Sequence, residues 1–282
     1  MKRSPIISIL VLVIIMVSCG VLYLWLINST NVFKQPSNFS SYTKSLFKDS
    51  KTEVKLPSKL DGTLVDKDSS TRHPLGVMIE NHPDARPQFG LSSASVVYEA
   101  IAEGGITRFL AVFGPNSASK FGPIRSARTY YADWCNEYDC YYAHVGGASD
   151  AIKVKIPADK IKDIDQFANG KYYHREPKTG IATEHTMYSS TDKLYELVKT
   201  KKWSTALRDD YSVYTFLDDP KTLIASTVGT IKINFSTASY EVDYTFNATT
   251  NSYLRNLAGK PHIDAENQKT IAPKNVIIQY ID

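Results

Sequence analysis

The sequence predicts an α/β fold, a mixed sheet with helices packed on it, preceded by an N-terminal transmembrane or signal-anchor helix and followed by a small antiparallel β unit. Three observations support this fold class. An almost wholly apolar run stands near the N-terminus. In the middle of the chain, apolar runs of strand length alternate with stretches of helical spacing. Beyond residue 213, strand-like segments follow one another with turn residues between them.

Length and composition set the class of protein and of partner. The chain has 282 residues, of which 43% are hydrophobic and 22% charged, and this suits a globular body of about one or two domains. The net charge is +4 and the pI is about 8.7. The positive excess is small and spread along the chain, without a basic run or a nucleic-acid-binding motif. We therefore expect no nucleic-acid partner.

The apolar run extends from Ile6 to Ile27 and is long enough for a hydrocarbon core, which needs about 20 residues. Lys2 and Arg3 precede it, so the positive-inside rule places the N-terminus in the cytoplasm and the body outside. The alternative is a bacterial lipoprotein signal with Cys19 as the lipid attachment site. We favour the uncleaved anchor because the apolar run continues past Cys19. Both alternatives predict a membrane-tethered, extracytoplasmic body.

Composition shifts predict four segments. They are a membrane anchor or lipoprotein signal (1–28), a flexible tether (29–70), a main extracytoplasmic α/β domain (71–212) and a C-terminal β-rich domain (213–282). The tether is rich in Ser, Thr, Asn and Lys. The predicted C-terminal strands are Thr230–Phe235, Ser239–Phe246, Ser252–Asn256 and Asn275–Ile281. We expect the C-terminal domain to be incomplete, because the last strand is cut off at Asp282.

The main domain opens with Leu75–Glu80, a short apolar run between prolines that reads as a buried strand. Asn81, His82 and Arg86 follow it. Polar side chains at a strand end are typical of binding loops and equally of plain turns.

The next stretch predicts a β-hairpin with a Gly-Gly turn, made of the strands Val96–Glu103 and Ile106–Gly114. A two-residue turn sets a register that pairs Glu103 with Ile106, Ile101 with Arg108 and Glu99 with Leu110. Opposed residues share a face of a sheet, and so do residues two apart on one strand. Glu99, Glu103 and Arg108 are therefore expected on one half-buried face.

A helix from Ala127 to about Tyr138 is predicted next, with Ser126 as its N-cap. Arg125 then lies just before the helix and Arg128 in its first turn. The helix dipole is positive there, so cations are unfavourable unless an anion joins them. The sequence thus predicts a phosphate or carboxylate cradle. The alternative is that these arginines pair internally with Glu99, Glu103 or Asp133, and the two interpretations are compatible.

Two histidines lie near predicted turns. His144, near the end of the predicted strand Tyr141–Val145, precedes Gly146-Gly147, a weak phosphate-cradle pattern. We keep His144 as a candidate ligand-binding residue, although a structural histidine is the favoured interpretation. His185 precedes the predicted helix Thr191–Lys201 and is either a candidate acid or base or a turn residue.

The cysteines and histidines predict no metal site and no cofactor. Cys135 and Cys140 would point to different sides of one continuous helix. A disulfide between them requires the helix to end between the two residues, and both alternatives remain open. Neither cysteine has metal-site spacing with a histidine.

Several long segments, in order, are similar to one protein family: VMIENHPDARPQFGL, VVYEAIAEGGITRFLAVF, GPIRSARTYY and HVGG. They resemble the domain-of-unknown-function 3048 family of YerB-like bacterial lipoproteins. The later YLRNLAGKPHID and NVII look like the start of the family's C-terminal domain. The resemblance implies a location and a domain plan, not a reaction. This chain has Glu184-His185-Thr186 where the family usually reads Pro-His-Asn.

The order of Arg108, the Arg125–Arg128 turn and Gly146-Gly147 is also similar, more weakly, to the LytR–CpsA–Psr cell-wall phosphotransferases. Three functions compete. The first is binding of an anionic, phosphate-bearing envelope lipid or glycopolymer. The second is a phosphotransferase-like enzyme acting on a polyprenyl-pyrophosphate-linked glycan, with Glu99 or Glu103 as base or metal ligand. The third is a non-catalytic adaptor for other envelope proteins. The candidate ligand-binding residues are Arg86, Arg108, Arg125, Arg128, Glu99, Glu103, Asn81, His82 and His144.

Overall fold

The structure is a computed structural model that describes residues 16–25, 54–208, 210–211, 214–219 and 229–280. The chain divides into two compact units, Met1–Glu53 and Val54–Asp282. In the first unit, residues 16–25 are helical (α1). Most of the predicted anchor lies outside the described residues, and no helix within them is both long and apolar enough to cross a membrane.

The second unit contains strands and short helices that come in the following order along the chain. They are β1 (Leu56–Pro57), β2 (Leu64–Val65), α2 (Lys67–Ser70), β3 (Leu75–Glu80), β4 (Val96–Ile101), β5 (Thr107–Phe113), α3 (Thr129–Glu137), β6 (Tyr141–Ala143), α4 (Ile156–Ala158), β7 (Lys162–Asp163), β8 (His174–Arg175), β9 (Met187–Tyr188), α5 (Thr191–Thr200), β10 (Ile231–Asn234), β11 (Glu241–Asn247), β12 (Ser252–Leu257), β13 (Lys260–Pro261), β14 (Ile263–Asp264) and β15 (Lys269–Thr270).

A mixed five-stranded sheet forms the centre of this unit, in the order β4-β5-β3-β6-β7. The pairs β4·β5 and β5·β3 are antiparallel, whereas β3·β6 and β6·β7 are parallel. All six residues of β3 are buried. One face packs Val77 against a cluster that includes Leu194 of α5, and the other packs Met78 against a cluster that includes Tyr131 of α3. The predicted α/β class and the predicted strand Leu75–Glu80 are confirmed.

The predicted hairpin is present, but its register differs by one residue. The turn has three residues, Glu103–Gly105, with Gly104 and Gly105 at φ 63° and 74°. Ala100 therefore opposes Arg108, and Glu99 opposes Phe109. A slip of one residue moves every side chain of a strand to the other face. The prediction that Glu99 and Arg108 share a face is therefore wrong.

The helix predicted from Ala127 begins later, at Thr129, and Arg128 occupies the N-cap position without a side-chain cap. The preceding residues are held extended by backbone hydrogen bonds to other segments. Arg125 N–H donates to Met78 O (2.9 Å), Val145 N–H to Arg125 O (3.1 Å) and Ala127 N–H to Gly146 O (2.9 Å). These non-local bonds outcompete the local helix signal, so the prediction of Ser126 as N-cap is wrong.

Cys135 and Cys140 form a disulfide, with their Cα atoms 5.4 Å apart. Helix α3 ends at Glu137, and the chain turns back through Asp139, which has φ 51°. The break in the helix that a disulfide requires is therefore present. The disulfide packs against Gly76 of β3, where a Cβ atom would collide with both sulfurs.

Part of the stretch predicted as tether, from Val54 onward, contains regular structure and core residues. Strands β1 and β2 pair, and Leu60 is buried in the core. At the other end, β10-β11-β12-β13 form an antiparallel sheet, as predicted. The described part of the predicted strand Asn275–Ile281, residues 275–280, is not a strand.

Candidate functional site

A cavity of about 460 Å³ lies at the C-terminal end of β3 and is lined mainly by charged side chains. We call it the arginine pocket, and its residues are Glu80, His82, Glu103, Ile106, Arg108, Arg125, Arg128, Glu184 and His185. It unites Arg108, Arg125, Arg128, Glu103 and His82 from the predicted set. Three arginines face three glutamates, so the formal charges cancel while the histidines are neutral.

The sheet positions the buried part of this pocket. Glu80 is the last residue of β3 and lies opposite Arg108 of β5, so both side chains emerge on the face that carries α3. The extended segment before α3 supplies Arg125 and Arg128. The hairpin turn supplies Glu103.

Glu103 holds two of the arginines. Arg128 donates to its carboxylate through Nε and, at 2.7 Å, through Nη2. Arg108 donates through Nη2 at 3.1 Å, while its Nη1 donates to Ser126 O at 3.1 Å. The hydrogen bonds from Arg128 and the charge of Arg108 lower the pKa of Glu103 to about 2. Glu103 is therefore ionised at any physiological pH.

Arg108 is the most buried of the three arginines, with a side chain that is 8% exposed. Its Nε–H has no hydrogen-bond partner. Burial lowers the pKa of Arg108, and the charges of Arg128 and Arg125 lower it further. The cation is thus held close to like charges, which costs free energy.

Arg125 bridges two carboxylates. Its Nε lies 3.3 Å from Glu80 Oε1, and its Nη2 donates to Glu184 Oε1 at 2.8 Å. The Nε–H is not directed at Glu80, so this contact is an ion pair without a hydrogen bond. The hydrogen bond from Arg125 lowers the pKa of Glu184. Glu80 is buried at 3% exposure, whereas Glu184 is 56% exposed.

The histidines form the other side of the pocket. His185 Nδ1 lies 2.7 Å from Glu80 Oε2. The rings of His82 and His185 stack with their centroids 4.7 Å apart and an interplanar angle of 11°. Ligand-type atoms of His82, Asp84 and His185 lie within 4.8 Å of one another. The sequence predicted no metal site, because these residues meet only in the tertiary structure.

The structure places Arg86 and Asn81 beside the pocket but not in its lining. Arg86 donates through Nε to Asn81 Oδ1 (3.0 Å) and through Nη2 to Ser239 O (2.8 Å), and its guanidinium lies over Tyr240. Asn81 is fully buried and also donates to Thr107 Oγ1 at 2.7 Å. Both side chains are engaged in holding the loop after β3.

Glu99 lies on the opposite face of the sheet, where the C-terminal sheet packs. It accepts a hydrogen bond from Arg255 Nη2 at 2.7 Å, and the two side chains are 9% and 5% exposed. Beside this ion pair, His262 contacts Gln88 at 2.9 Å. Burial, together with the charge of Arg255, lowers the pKa of His262 to about 3. Glu99 therefore belongs to the joint between the two sheets.

His144 is fully buried. Its Nε2 lies 3.0 Å from Asp163 Oδ1, and its Nδ1 lies 2.9 Å from Gly146 O. Gly146 N–H donates to Asp165 Oδ1 at 2.8 Å, so this amide is already occupied. These contacts agree with the structural interpretation of His144.

The predicted set lacks Glu80, Glu184 and His185 as pocket residues. Only Glu80 had a local sequence signal, because it is a carboxylate at the end of a buried strand. Glu184 and His185 reach the pocket from a segment 105 residues beyond Glu80, a relationship that no local pattern contains.

The fold and the pocket define a class of α/β protein in which a mixed sheet with a charged strand end is joined to an antiparallel C-terminal sheet. The chain belongs to the DUF3048 family. The model "Protein of unknown function (DUF3048) N-terminal domain" matches residues 60–204, and the corresponding C-terminal domain model matches residues 231–282. The resemblance found in the sequence is thus confirmed.

Two comparisons lead to the same relative. The chain is 31% identical over 232 residues to "Putative lipoprotein YerB" of Bacillus subtilis (strain 168), covering 80% of this chain and 68% of that protein. The crystal structure of YerB protein from Bacillus subtilis is similar with a TM-score of 0.65 and 28% identity, covering 77% of this chain and 72% of that one.

Proposed function

We propose that this protein is tethered to the membrane on the outer face of a bacterial cell and binds an anionic, phosphate-bearing ligand in the arginine pocket. The observation that carries the proposal is that Arg108, Arg125 and Arg128 line one cavity. A phosphate group offers several acceptor oxygens and suits guanidinium donors from different directions.

The state of the arginines supports an anionic ligand. The Nε–H groups of Arg108 and Arg125 are buried without a hydrogen-bond partner. Buried polar groups in folded proteins are normally hydrogen-bonded, and both unpaired donors belong to arginines that line the cavity, so a further acceptor at these side chains is favoured. A phosphate would also relieve the repulsion among three neighbouring cations.

Two exposed carboxylates, Glu103 and Glu184, pair with the arginines of the pocket. Glu103 and Glu184 have side chains that are 60% and 56% exposed, and both lie in turns. Surface ion pairs of this kind contribute about 0–1 kcal/mol each. An incoming phosphate therefore exchanges with them at low cost, whereas the buried Glu80 keeps its contacts.

The proposed location rests on sequence and relationship. Lys2 and Arg3 precede the apolar run Ile6–Ile27. The relative YerB carries the word lipoprotein in its name. The lipoprotein signal around Cys19 remains the alternative form of attachment.

Binding is favoured over phosphoryl transfer because neither of the two carboxylates proposed as bases suits that role. Glu103 has a pKa of about 2 and is a weak proton acceptor. Glu99 lies on the other face of the sheet, paired with Arg255. Turnover of a pyrophosphate-linked lipid by the purified protein would reverse this order.

The test is thermal melting with inorganic pyrophosphate, comparing the wild type with Arg125→Ala/Arg128→Ala. A ligand at 100 times its Kd stabilises by about 2.7 kcal/mol, which raises the Tm by roughly 5–10 °C. We expect this rise in the wild type and its loss in the double variant. Arg208→Ala, at an exposed arginine outside the pocket, is the matched control and should respond like the wild type. An equal response in all three proteins, or none in any, would contradict the proposal and favour the adaptor function.

A further inference from the structure

We propose that His82, Asp84 and His185 form a binding site for a transition-metal dication such as Zn²⁺, with Glu80 orienting His185. The site is distinct in its residues from the three arginines and does not rest on the proposed anion binding. It adds a ligand class that the sequence did not predict.

The donor set has the chemistry of a zinc site. Two imidazoles and one carboxylate are the protein ligands of many catalytic zinc centres and of the 2-His-1-carboxylate iron sites. The candidate donor atoms of His82, Asp84 and His185 lie within 4.8 Å of one another. Donors at about 2.0–2.2 Å from one zinc ion are roughly 3–3.5 Å apart, so the set needs to contract by an ångström or more.

His185 is held ready for this role. Its Nδ1 lies 2.7 Å from Glu80 Oε2, and both side chains are buried. A carboxylate on one ring nitrogen leaves the other nitrogen as the metal ligand, the arrangement that most metal-binding histidines have. Arg125, 3.3 Å from Glu80 Oε1, anchors the carboxylate from the other side. The contact between Glu80 and His185, which would orient the metal ligand, is therefore formed before any ion binds.

The other two donors lie where they can move. His82 and Asp84 flank Pro83 at the start of a short turn, and their side chains are 32% and 54% exposed. His82 Nδ1 accepts a hydrogen bond of 3.2 Å from Asp84 N–H. Stacked parallel rings do not aim their lone pairs at one point, so the His82 ring must turn out of its stack on His185 when the ion binds.

The remaining coordination position opens into the arginine pocket, because His82 and His185 both line that cavity. Three protein ligands and one open position are the pattern of zinc sites that bind water or an anion. The ion would therefore stand within the same cavity as Arg125.

The experiment is a titration of the full chain with Zn²⁺ against a chelating dye, in buffer free of phosphate. We expect one ion per chain, and at least tenfold weaker binding in each of His82→Ala, Asp84→Asn and His185→Ala. The control is His174→Ala, a 38% exposed histidine that also lies beside a carboxylate, Glu176, at 3.1 Å. It should bind zinc like the wild type. Absent binding in the wild type, or equal loss in the control, would overturn the site.

Two further measurements separate a metal ligand from a structural residue. Co²⁺ should give the visible absorption of a tetrahedral or five-coordinate ion in the wild type. His82→Ala, which removes a partly exposed ring, should abolish this absorption while the metal-free variant remains folded. Glu80→Gln should weaken zinc binding by about 10–100-fold. Unchanged zinc affinity in His82→Ala would refute the site even if the buried variants failed to fold.

Different variants test the proposed metal site and the proposed anion binding independently. Arg128→Ala, at a pocket arginine that pairs with Glu103 and not with Glu80, should retain zinc binding in phosphate-free buffer. Asp84→Asn, which carries no arginine contact among its described contacts, should retain the melting response to pyrophosphate measured with a chelator present. Loss of zinc binding in Arg128→Ala would show that the two sites are one and overturn the inference as stated.

Discussion

Glu103 and Arg128 form a two-point ion pair at the mouth of the arginine pocket, in which Nε and Nη2 of the arginine each donate to one carboxylate oxygen. The same carboxylate also accepts from Arg108. A carboxylate that occupies guanidinium forks in this way stands where an anionic ligand would bind. Glu103 is therefore the residue whose change most directly reports on the pocket.

Glu103→Gln should strengthen anion binding. The substitution removes an internal competitor for Arg128 and Arg108 while keeping the size of the side chain. Because an exposed ion pair contributes up to about 1 kcal/mol, we expect the affinity for pyrophosphate to rise by up to about fivefold. Isothermal titration of the wild type and the variant measures this change. Weaker binding in Glu103→Gln would show that the carboxylate belongs to the ligand site itself.

Glu103 should also contribute a pH-dependent part of the free energy of unfolding. Its pKa is lowered from 4.5 to about 2 in the folded state, mainly by the hydrogen bonds from Arg128. A depressed folded-state pKa stabilises the protein above the unfolded-state value, and this contribution is lost as the pH falls from about 4.5 towards 2. Urea unfolding of the wild type and Glu103→Gln should therefore differ at pH 7 and converge near pH 2. A difference independent of pH would contradict the ion pair.

Arg255→Ala should destabilise the body strongly. Arg255 pairs with Glu99 at 2.7 Å, and removing one partner leaves a buried charge uncompensated. Breaking a buried pair costs about 3–5 kcal/mol. Chemical unfolding of the variant should show a loss of this size, with Arg208→Ala, at a 73% exposed arginine, unchanged as the matched control. A loss below 1 kcal/mol would show that the joint between the sheets does not depend on this pair.

Gly76→Ala should destabilise the protein through the disulfide that packs on β3. A methyl group at this position would collide with the sulfurs of Cys135 and Cys140. Overpacking of a core typically costs about 1–3 kcal/mol. The control is Gly170→Ala, where the nearest atom to an added Cβ would be 3.6 Å away. Equal free energies of unfolding for the two variants would contradict close packing at Gly76.

The form of membrane attachment is tested with Cys19→Ala. If the anchor is uncleaved, as proposed, the apolar run Ile6–Ile27 keeps the protein in the membrane without Cys19, so the variant should stay in the membrane fraction. Protease added outside intact cells should digest the body of the wild type. Release of Cys19→Ala into the medium would identify a lipoprotein, and protection from the protease would contradict the proposed orientation.

Local signals were sufficient for the elements that they span. Leu75–Glu80 is a strand with the predicted bounds, because a short apolar run between prolines has few other solutions. The helix predicted from Thr191 begins there, where the Ser190 side chain caps it by accepting from Lys193 N–H. The pairing of β4 with β5 and the antiparallel C-terminal sheet were likewise readable from periodicity and turn residues.

The hairpin register and the start of α3 depended on the rest of the molecule. Gly104-Gly105 is compatible with a two-residue or a three-residue turn, and the choice of three placed Glu99 and Arg108 on opposite faces of the sheet. Ser126 is a good N-cap in isolation, yet the segment around it is hydrogen-bonded to Met78 and Gly146.

The pocket shows the same division. The arginines, Glu103 and His82 were visible as chemistry-bearing residues near turns, because charge and turn propensity are properties of single positions and their neighbours. Two contacts follow only from the packing of distant segments onto one sheet. Glu80 contacts His185, which is 105 residues away, and Glu99 faces Arg255 rather than Arg108. Composition and periodicity thus specify which groups this chain carries and on which elements they lie. Strand register and long-range packing decide which of those groups meet. The physical reason is that a shift of one residue in register moves each side chain to the other face of the sheet.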